Sequence, residues 1–231
     1  MSDNSDVKNY YKSMPDKFIT KVENPNFYLT HINLPFRMAI VSASGGGKTN
    51  FLCDLIHKWC MNKGTFATIT IITRNKDEPL YVWLQTLSDS IVVKEGLSST
   101  PVLDKMDKTI NNLVVWDDLV LEKDLTRISE FFVRARKLNV SCIFISQSYF
   151  GIPPIIRKNI NYLVLLKLQG KRDLNAILSE CGLGVDKKTL IKIYNYATSV
   201  SLTPLFVDLD IEPSQRFRRG LKEVLDIKEF E

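Results

Sequence analysis

Three glycines followed by a lysine and a threonine end the segment Ser42–Thr49, which reads SASGGGKT. Glycines let the backbone adopt left-handed conformations and wrap closely around an anion. The amides at the start of a following helix point at the same anion, which the helix dipole also attracts. A lysine at this position neutralises phosphate oxygens, and a threonine hydroxyl is a ligand for Mg²⁺. The segment therefore predicts a loop that binds the phosphates of ATP together with Mg²⁺.

The usual pattern of such a loop is a glycine, four free positions and then Gly-Lys-Ser or Gly-Lys-Thr. The last three residues of the segment match this pattern, whereas Ser42 stands at the opening glycine, where a small residue can still make the entry turn. Lys48 is predicted to be catalytic because it faces the β- and γ-phosphates. The residues predicted to bind the nucleotide are Ser44, Gly45, Gly46, Gly47, Lys48, Thr49 and Asn50.

Two acids follow the apolar segment 113–116, which has the character of a buried strand. Ligands of open α/β sheets bind at the carboxyl ends of the strands, so carboxylates at this place meet the phosphates. Asp117 is predicted to hold Mg²⁺ together with Thr49, with water completing the coordination. Asp118 is predicted to polarise the attacking water, a role that a glutamate fills more often. An acidic turn with no catalytic role is the alternative for this pair.

A glutamine, Gln147, follows the next predicted strand along the chain. A glutamine near the γ-phosphate can orient the lytic water or sense the phosphate. The alternative is a polar residue that ends a strand and caps the next turn. We predict that Gln147 is catalytic, because the order of phosphate loop, acidic strand and polar-ended strand is typical of hydrolytic P-loop enzymes.

Apolar runs alternate with helical patterns along the chain. Strands are predicted at 36–41, 67–73, 90–93, 113–116, 140–145 and 162–166, and a closing strand or hairpin at 200–202 and 205–208. Helices are predicted at 49–61, 80–87, 124–138, 171–181 and 187–196, with a short helix or turn at 155–160. Continuous apolar strands between helices indicate a covered parallel sheet. The predicted fold class is α/β, with a mostly parallel sheet flanked by helices. The order of phosphate loop, acidic strand and polar-ended strand resembles the RecA-like P-loop NTPases of the additional-strand class.

The composition fits one folded domain. Of 231 residues, 45% are hydrophobic and 25% are charged, values that are ordinary for a soluble protein. We predict a flexible arm at 1–25, an ATPase domain at 26–210 and a charged tail at 211–231. No apolar run approaches the roughly 18 residues of a membrane span, and the first residues do not resemble a signal peptide. Four scattered cysteines indicate core thiols in a reducing compartment.

Further motifs flank these predicted elements, and together they resemble a known family. HINLPFRM leads into the phosphate loop, RARKLNVS and FISQ flank the strand at 140–145, and PPIIRKN follows it. In this order and spacing, over about 27–208, the motifs resemble the poxvirus-type DNA-packaging ATPases of large DNA viruses and virophages, within the FtsK–HerA superfamily. The resemblance implies an ATP-hydrolysing motor that drives double-stranded DNA into a preformed capsid at a vertex or portal-like site. It also implies a ring of five or six subunits, working in the host cytoplasm at viral factories or in the virion.

A ring motor needs an arginine that reaches the neighbouring subunit's site. Arg134, Arg136 and Arg157 are the candidates, and we predict that Arg136 or Arg157 acts there. A surface ion pair is the alternative for each. The net charge of +5 permits DNA binding, and two basic clusters are candidate DNA contacts. They are the segment 215–219 and the trio Lys167, Lys171 and Arg172. For the first cluster a solvated tail is the favoured explanation, and for the second a solvated helix start is an equal alternative.

Two other functions are compatible with a phosphate loop. One is a kinase for a small molecule or nucleotide, which would be indifferent to DNA and would need a lid; the sequence shows no arginine-rich lid insert. The other is a nucleotide-switched assembly protein that hydrolyses little ATP, against which Asp118 and Gln147 argue.

Overall fold

The structure, a computed structural model, describes residues 8, 10–15 and 22–231. Most of the predicted arm at 1–25 lies outside the described residues. Its described part includes one short helix, α1 (Tyr10–Ser13). The rest of the described chain is built on one large sheet with helices on both faces.

Nine strands form this sheet in the described part of the chain. In chain order they are β1 (Arg37–Val41), β2 (Thr68–Thr73), β3 (Ile91–Glu95), β4 (Asn112–Asp117), β5 (Val140–Ser146), β6 (Tyr162–Leu165), β7 (Leu205–Asp208), β8 (Phe217–Arg219) and β9 (Glu223–Val224). Their order across the sheet is β3-β2-β4-β5-β1-β6-β7-β8-β9. Pairs among the first six are parallel, and β7, β8 and β9 join antiparallel.

Helices occupy the connections between strands. After α1 come α2 (Phe27–Thr30), α3 (Lys48–Cys60), α4 (Pro79–Gln85), α5 (Thr126–Arg134), α6 (Pro154–Arg157), α7 (Lys171–Glu180) and α8 (Lys187–Ala197). Short 3₁₀ helices lie at Leu97–Ser99, Leu103–Lys105, Ala135–Leu138, Pro213–Gln215 and Ile227–Glu229. The helix predicted at 124–138 is therefore α5 continued by a 3₁₀ turn.

The continuous apolar runs of the central strands are explained by a core on each face of the sheet. Leu113 and Val115 of β4 point to the face that packs against α3 and α4. Val114 and Trp116 of the same strand point to the other face, against α5, α7 and α8. Because successive side chains of a strand alternate between the faces, both sets must be apolar. The predicted α/β class with a mostly parallel sheet is confirmed.

Strand β5 lies between β1 and β4, which is the additional-strand arrangement that the sequence predicts. All three strands are parallel, with Val41 level with Ser146 and Asp117 level with Ile145. Their carboxyl ends therefore open at one edge of the sheet. The segments that follow β1, β4 and β5 meet at this edge, and they are the segments that carry the predicted chemistry.

The C-terminal segment differs from the solvated tail predicted for 215–219. Phe217–Arg219 is strand β8, paired with β7, and the Phe217 side chain is fully buried. Arg218 is only 5% exposed and stacks on Phe206, with its guanidinium carbon 4.3 Å from the ring centroid. The basic composition suggested an exposed segment, but both faces of the sheet are covered at β8, so the consecutive side chains of Phe217 and Arg218 are both buried. The hairpin at the end of the sheet is thus formed by β7 and β8, whereas 200–202 is a turn and not a strand.

The four cysteines are free thiols, with Cys53 and Cys142 buried in the core. Burial raises the pKa of the Cys53 thiol to about 12, so this thiol stays protonated and unreactive at neutral pH. In the described part of the chain, no helix combines the length and the apolar character that crossing a bilayer requires.

Candidate nucleotide-binding site

The phosphate loop connects β1 to α3. Gly45 and Gly47 have φ of 69° and 91°, left-handed values that favour glycine. Gly46 is required for space, because a Cβ there would lie 2.0 Å from Ser42 Oγ. Gly47 is the N-cap of α3 and provides no side chain to cap the first amides of the helix. The start of α3 is therefore open to an anion.

Ser42, which replaces the usual opening glycine, is fully buried and ties the loop to the neighbouring strand. Its hydroxyl donates to the carbonyl of Lys167, just beyond β6, at 3.1 Å. The amide of Ala43 donates to the same carbonyl at 2.8 Å. The hydroxyl of Ser42 thus fixes the start of the loop to the chain just beyond β6, a contact that a glycine could not make.

Lys48 bends back over the loop that precedes it. Its ammonium donates to the carbonyls of Ser42 at 2.9 Å and Ala43 at 3.0 Å. Burial lowers the pKa of Lys48, and the nearby carboxylates of Asp117 and Asp118 oppose that shift. A half-buried ammonium held only by backbone carbonyls is poised to transfer to a stronger anionic partner such as phosphate.

Asp117 and Asp118 have different environments although they are adjacent. Asp117 ends β4, is 8% exposed and accepts a hydrogen bond from the hydroxyl of Tyr81. Burial raises the pKa of Asp117, and the Tyr81 hydrogen bond opposes that rise. Asp118 is exposed, with φ of 56°, which turns its side chain off the strand. Its Oδ1 accepts a hydrogen bond from Gln147 Nε2 at 3.2 Å.

One cavity of about 310 Å³ brings these groups together at the carboxyl edge of the sheet. The predicted residues that line it are Ser44, Gly45, Lys48, Thr49, Asp117, Asp118 and Gln147. Asn50, which is predicted to bind nucleotide, is exposed on the first turn of α3 and is not part of this lining. The lining also contains residues that the sequence analysis does not predict, namely Thr73, Arg74, Asn75, Glu78 and Tyr81.

A model of the family described as Poxvirus A32 protein matches residues 26–203, three quarters of the chain. The chain belongs to the poxvirus A32 protein family. The resemblance inferred from the motifs is thereby confirmed. The matched region includes the phosphate loop, the acidic strand and Gln147, and it ends just before β7.

Curated relatives of this poxvirus A32 family member are viral. It is 28% identical over 144 residues to "DNA packaging protein OPG160" of Monkeypox virus, covering 57% of this chain and 47% of the relative. The protein of the same name in Vaccinia virus (strain Copenhagen) is also 28% identical, with 57% of this chain and 53% of the relative covered. The chain spans about half the length of the curated relatives that it matches.

Two solved structures with the same fold carry the names NTPase and ATPase. The genome packaging NTPase B204 from Sulfolobus turreted icosahedral virus 2, in complex with sulfate, aligns with a TM-score of 0.60 at 14% identity. The alignment covers 84% of this chain and all of B204. ATPases 2 and 3 of EssC from Geobacillus thermodenitrificans align with a TM-score of 0.56 at 9% identity, over 84% of this chain and 40% of theirs. At these identities the likeness shows the fold.

The three arginines considered as contacts to a neighbouring subunit lie away from the phosphate cavity. Arg157 packs over the ring of Tyr149, is 10% exposed and has its Nε 3.2 Å from Glu180 Oε2. Arg134 forms ion pairs with Asp104 and Glu130. Arg136 is exposed on the 3₁₀ turn that enters β5, at the opposite edge of the sheet from the phosphate loop. Of the ion pairs among described residues, none includes Arg136.

Tyr81 is the buried contact that the sequence analysis missed. It lies on α4, which follows β2, and β2 is the neighbour of β4 in the sheet, with Thr73 level with Asp117. A residue that follows β2 therefore reaches Asp117 from the side. Burial and the adjacent carboxylate raise the pKa of Tyr81 well above its usual range, so its hydroxyl remains a hydrogen-bond donor.

Replacement of Tyr81 by phenylalanine is expected to increase the Mg²⁺ concentration needed for half-maximal nucleotide binding by about tenfold, because Asp117 loses the donor that orients it. The hydrogen bond lowers the pKa of Asp117. Without it that pKa rises, so the carboxylate becomes protonated at a higher pH and nucleotide binding with Mg²⁺ should weaken at a higher pH than in the native chain. Titrating Mg²⁺ and pH in parallel measures both effects.

The matched control is Tyr162→Phe, which removes another buried hydroxyl, one that accepts from the amide of Asn33. Both variants are expected to lose about 1 kcal/mol of stability, but only Tyr81→Phe changes the Mg²⁺ and pH dependence. Equal Mg²⁺ dependence in the two variants would contradict a role for Tyr81 in positioning Asp117.

Proposed function

We propose that this chain is an ATP-hydrolysing motor that translocates double-stranded DNA into a preformed viral capsid. The observation that carries the proposal is the single cavity in which the phosphate loop meets Asp117, Asp118 and Gln147. A loop alone would bind phosphates. The addition of a buried carboxylate, an exposed carboxylate and an amide supplies the groups that hydrolysis needs.

Three side chains of the cavity have distinct roles in this proposal. Lys48 leaves the carbonyls of Ser42 and Ala43 and neutralises the β- and γ-phosphates. Asp118 accepts the proton of the attacking water and Gln147, already hydrogen-bonded to Asp118, holds that water. Asp118 is exposed and turned off the strand, and it lines the same cavity as Asp117.

The cavity also suits Mg²⁺. Thr49 contributes a hydroxyl and Asp117 a carboxylate, both hard oxygen ligands. In the described residues, no group of three or more His, Cys, Asp or Glu side chains is placed to hold a metal alone. Two protein oxygens completed by phosphate and water are what Mg²⁺ in nucleotide sites uses. When bound, the metal supplies charge neutralisation on the phosphates.

Family membership supports the coupling of hydrolysis to DNA. The curated relatives are named DNA packaging proteins, and B204, which shares the fold, is named a genome packaging NTPase and was solved with AMP and ATP-gammaS. Within this chain, Lys167 and Arg172 are exposed near the phosphate-loop edge of the sheet and remain candidate DNA contacts. Lys171 adjoins Arg172 in sequence. The segment 215–219 is a poorer candidate, since Arg218 is buried.

The direct test of the motor is ATP hydrolysis by size-separated fractions of the full chain, with and without double-stranded DNA. We expect hydrolysis by an oligomeric fraction to rise on addition of DNA. The stimulation should weaken as salt is raised, because contacts to the phosphate backbone release counterions. A monomer that hydrolyses ATP at the same rate with and without DNA would contradict the proposal and favour a small-molecule enzyme.

If the chain forms a ring of five or six subunits with shared sites, we expect Arg136 to complete the site of the neighbouring subunit. In a head-to-tail ring, the surface that meets a neighbour's site lies away from the subunit's own site, and Arg136 meets this condition. The packing of Arg157 against Tyr149 and Glu180 makes Arg157 the weaker candidate. Arg136→Ala is expected to lower hydrolysis by at least about 100-fold, and mixing it with Lys48→Ala subunits to restore part of the rate.

Restoration is expected because a mixed ring contains interfaces with a native Lys48 on one side and a native Arg136 on the other. Arg134→Ala is the matched control on the same segment, and it should stay active because Arg134 only forms surface ion pairs. A fully active Arg136→Ala variant, or mixtures no better than either variant alone, would exclude a shared site built on Arg136.

A further inference from the structure

A second cavity lies directly beside the phosphate loop, on the side away from Asp117. It has a volume of about 590 Å³ and shares Gly45 with the phosphate cavity. One wall is the chain leaving β6, and the other is the end of α8 with the loop 198–203. The volume is within the range of about 300–1,000 Å³ that is typical of small-molecule sites.

We propose that this second cavity holds the nucleoside part of the nucleotide and that the side-chain amide of Asn195 hydrogen-bonds the base. The inference rests on the proposed function, because it requires a nucleotide whose phosphates occupy the loop. Gly45 lines both cavities. The two cavities are therefore adjacent at Gly45, and a nucleotide whose phosphates occupy the loop would extend past this residue into the second cavity.

The cavity is built and held in place before a ligand arrives. The hydroxyl of Tyr194 on α8 donates to the carbonyl of Leu166 at 2.9 Å and accepts from the amide of Leu168 at 2.8 Å. These two bonds fix α8 against the end of β6, and the carbonyl of Lys167 between them anchors the phosphate loop through Ser42. Loop and cavity wall are thus parts of one hydrogen-bonded unit.

Apolar side chains beside the loop remain in solvent. Leu202 and Val200 are 50% and 51% exposed, and both line the cavity. Leu202 has φ of 63° and lies so close over Gly47 that a Cβ there would be 2.4 Å from Leu202 Cδ2. A ribose and a flat base would cover these apolar surfaces, which is the usual balance in a nucleotide site of apolar contacts and a few polar groups.

Asn195 is the polar group suited to recognise the base. It lies on the last turns of α8, is exposed and lines the cavity. Within the described chain its side-chain amide makes no hydrogen bond, whereas the neighbouring hydroxyls of Thr198 and Ser199 already bond the backbone of α8. An amide offers a donor and an acceptor side by side, which match the amino group and ring nitrogen of adenine.

The test compares the binding of Mg²⁺-ATP with that of Mg²⁺-tripolyphosphate by calorimetry on the full chain. Asn195→Ala is expected to weaken ATP binding about five- to tenfold, the loss of one or two hydrogen bonds. Its affinity for tripolyphosphate should equal that of the native chain, since this ligand has no nucleoside. Asn175→Ala, which removes an exposed asparagine from α7, is the matched control and should bind both ligands normally.

The outcomes separate this inference from the proposed function. Unchanged ATP affinity in Asn195→Ala, or an equal loss for both ligands, would overturn the nucleoside site while leaving the phosphate site intact. If the native chain binds neither ATP nor tripolyphosphate, the proposed function itself fails. Loss of both ligands in Lys48→Ala, together with loss of ATP affinity alone in Asn195→Ala, would support the two-cavity site.

Discussion

Replacement of Lys48 by alanine is expected to reduce ATP hydrolysis by at least about 100-fold, with the fold unchanged. The ammonium of Lys48 is the cation that the structure places inside the phosphate loop, and its hydrogen bonds go to the carbonyls of Ser42 and Ala43. In the variant, water can donate hydrogen bonds to these two carbonyls in place of the ammonium. Little stability is therefore lost, whereas the charge that stabilises the phosphates disappears.

The change also alters the balance of charge in the cavity. Lys48 lowers the pKa of Asp117, while burial raises it. Without the ammonium, the pKa of Asp117 rises further, so binding of Mg²⁺ should need a higher pH in addition to being weaker. Nucleotide affinity, Mg²⁺ dependence and hydrolysis measured at several pH values test these effects together.

Lys58→Ala is the matched control because Lys58 lies on the same helix, α3, and pairs with Asp54 at the surface. It should hydrolyse ATP at the native rate. Hydrolysis by Lys48→Ala at more than about a tenth of the native rate would show that the phosphate loop is not the catalytic site, and with it the proposed function would fall.

The central part of the fold could be predicted because its signals are local. Both faces of β1, β4 and β5 are covered, so these strands appear as unbroken apolar runs. The residues placed at their carboxyl ends by the sequence, including Lys48, Asp117 and Gln147, line one cavity in the structure. The position of β5 between β1 and β4 agrees with the additional-strand class that the order of the motifs predicts.

The side of the site formed by β2 and α4 could not be predicted in the same way. Tyr81 contacts Asp117 because β2 pairs with β4, a pairing between segments far apart in sequence. In the sequence, Tyr81 is one apolar residue of an ordinary helical pattern. The polar residues that directly follow β2, among them Arg74, were the available signal, since they end a strand at the same edge of the sheet.

The end of the chain shows how composition can mislead. Three arginines in the segment 215–219 suggested a solvated tail, yet each has a defined contact. Arg216 donates to the carbonyls of Gly182 and Leu183, and Arg219 stacks on Tyr196. Arg218 enters the core. Long side chains bury their stems along apolar surface while their head groups find partners, so a basic segment can complete a sheet.

Arg218→Ala is expected to destabilise the protein by about 3–5 kcal/mol, because it leaves a buried carboxylate without its cation. The guanidinium of Arg218 lies 3.6 Å from Asp208 Oδ2, and the two side chains are nearly inaccessible to solvent. Its Nη1 also donates to the carbonyls of His31 at 3.1 Å and Leu221 at 3.0 Å. One side chain thus links the end of β7, the turn after β8 and the residue that follows α2.

The loss of stability is measured by urea unfolding of Arg218→Ala, and Arg219→Ala is the matched control. Arg219 is adjacent, carries the same charge and pairs with Glu223 at 3.7 Å in a more exposed setting. Its loss should cost no more than about 1 kcal/mol. Similar unfolding free energies for the two variants would show that the β7–β8 hairpin does not depend on the buried pair.

The pH dependence of the unfolding free energy of Arg218→Ala tests whether the uncompensated charge of Asp208 causes the loss of stability. Burial already raises the pKa of Asp208 in the native chain, and the positive charge of Arg218 opposes that rise. In the variant the folded-state pKa of Asp208 rises further above its unfolded value, so the folded state binds the proton more tightly than the unfolded state does. Stability lost at neutral pH should therefore return in part as the pH falls through that folded-state pKa. A lost packing contact alone would show no such recovery, so unfolding measured from neutral to mildly acidic pH distinguishes an uncompensated charge from a cavity.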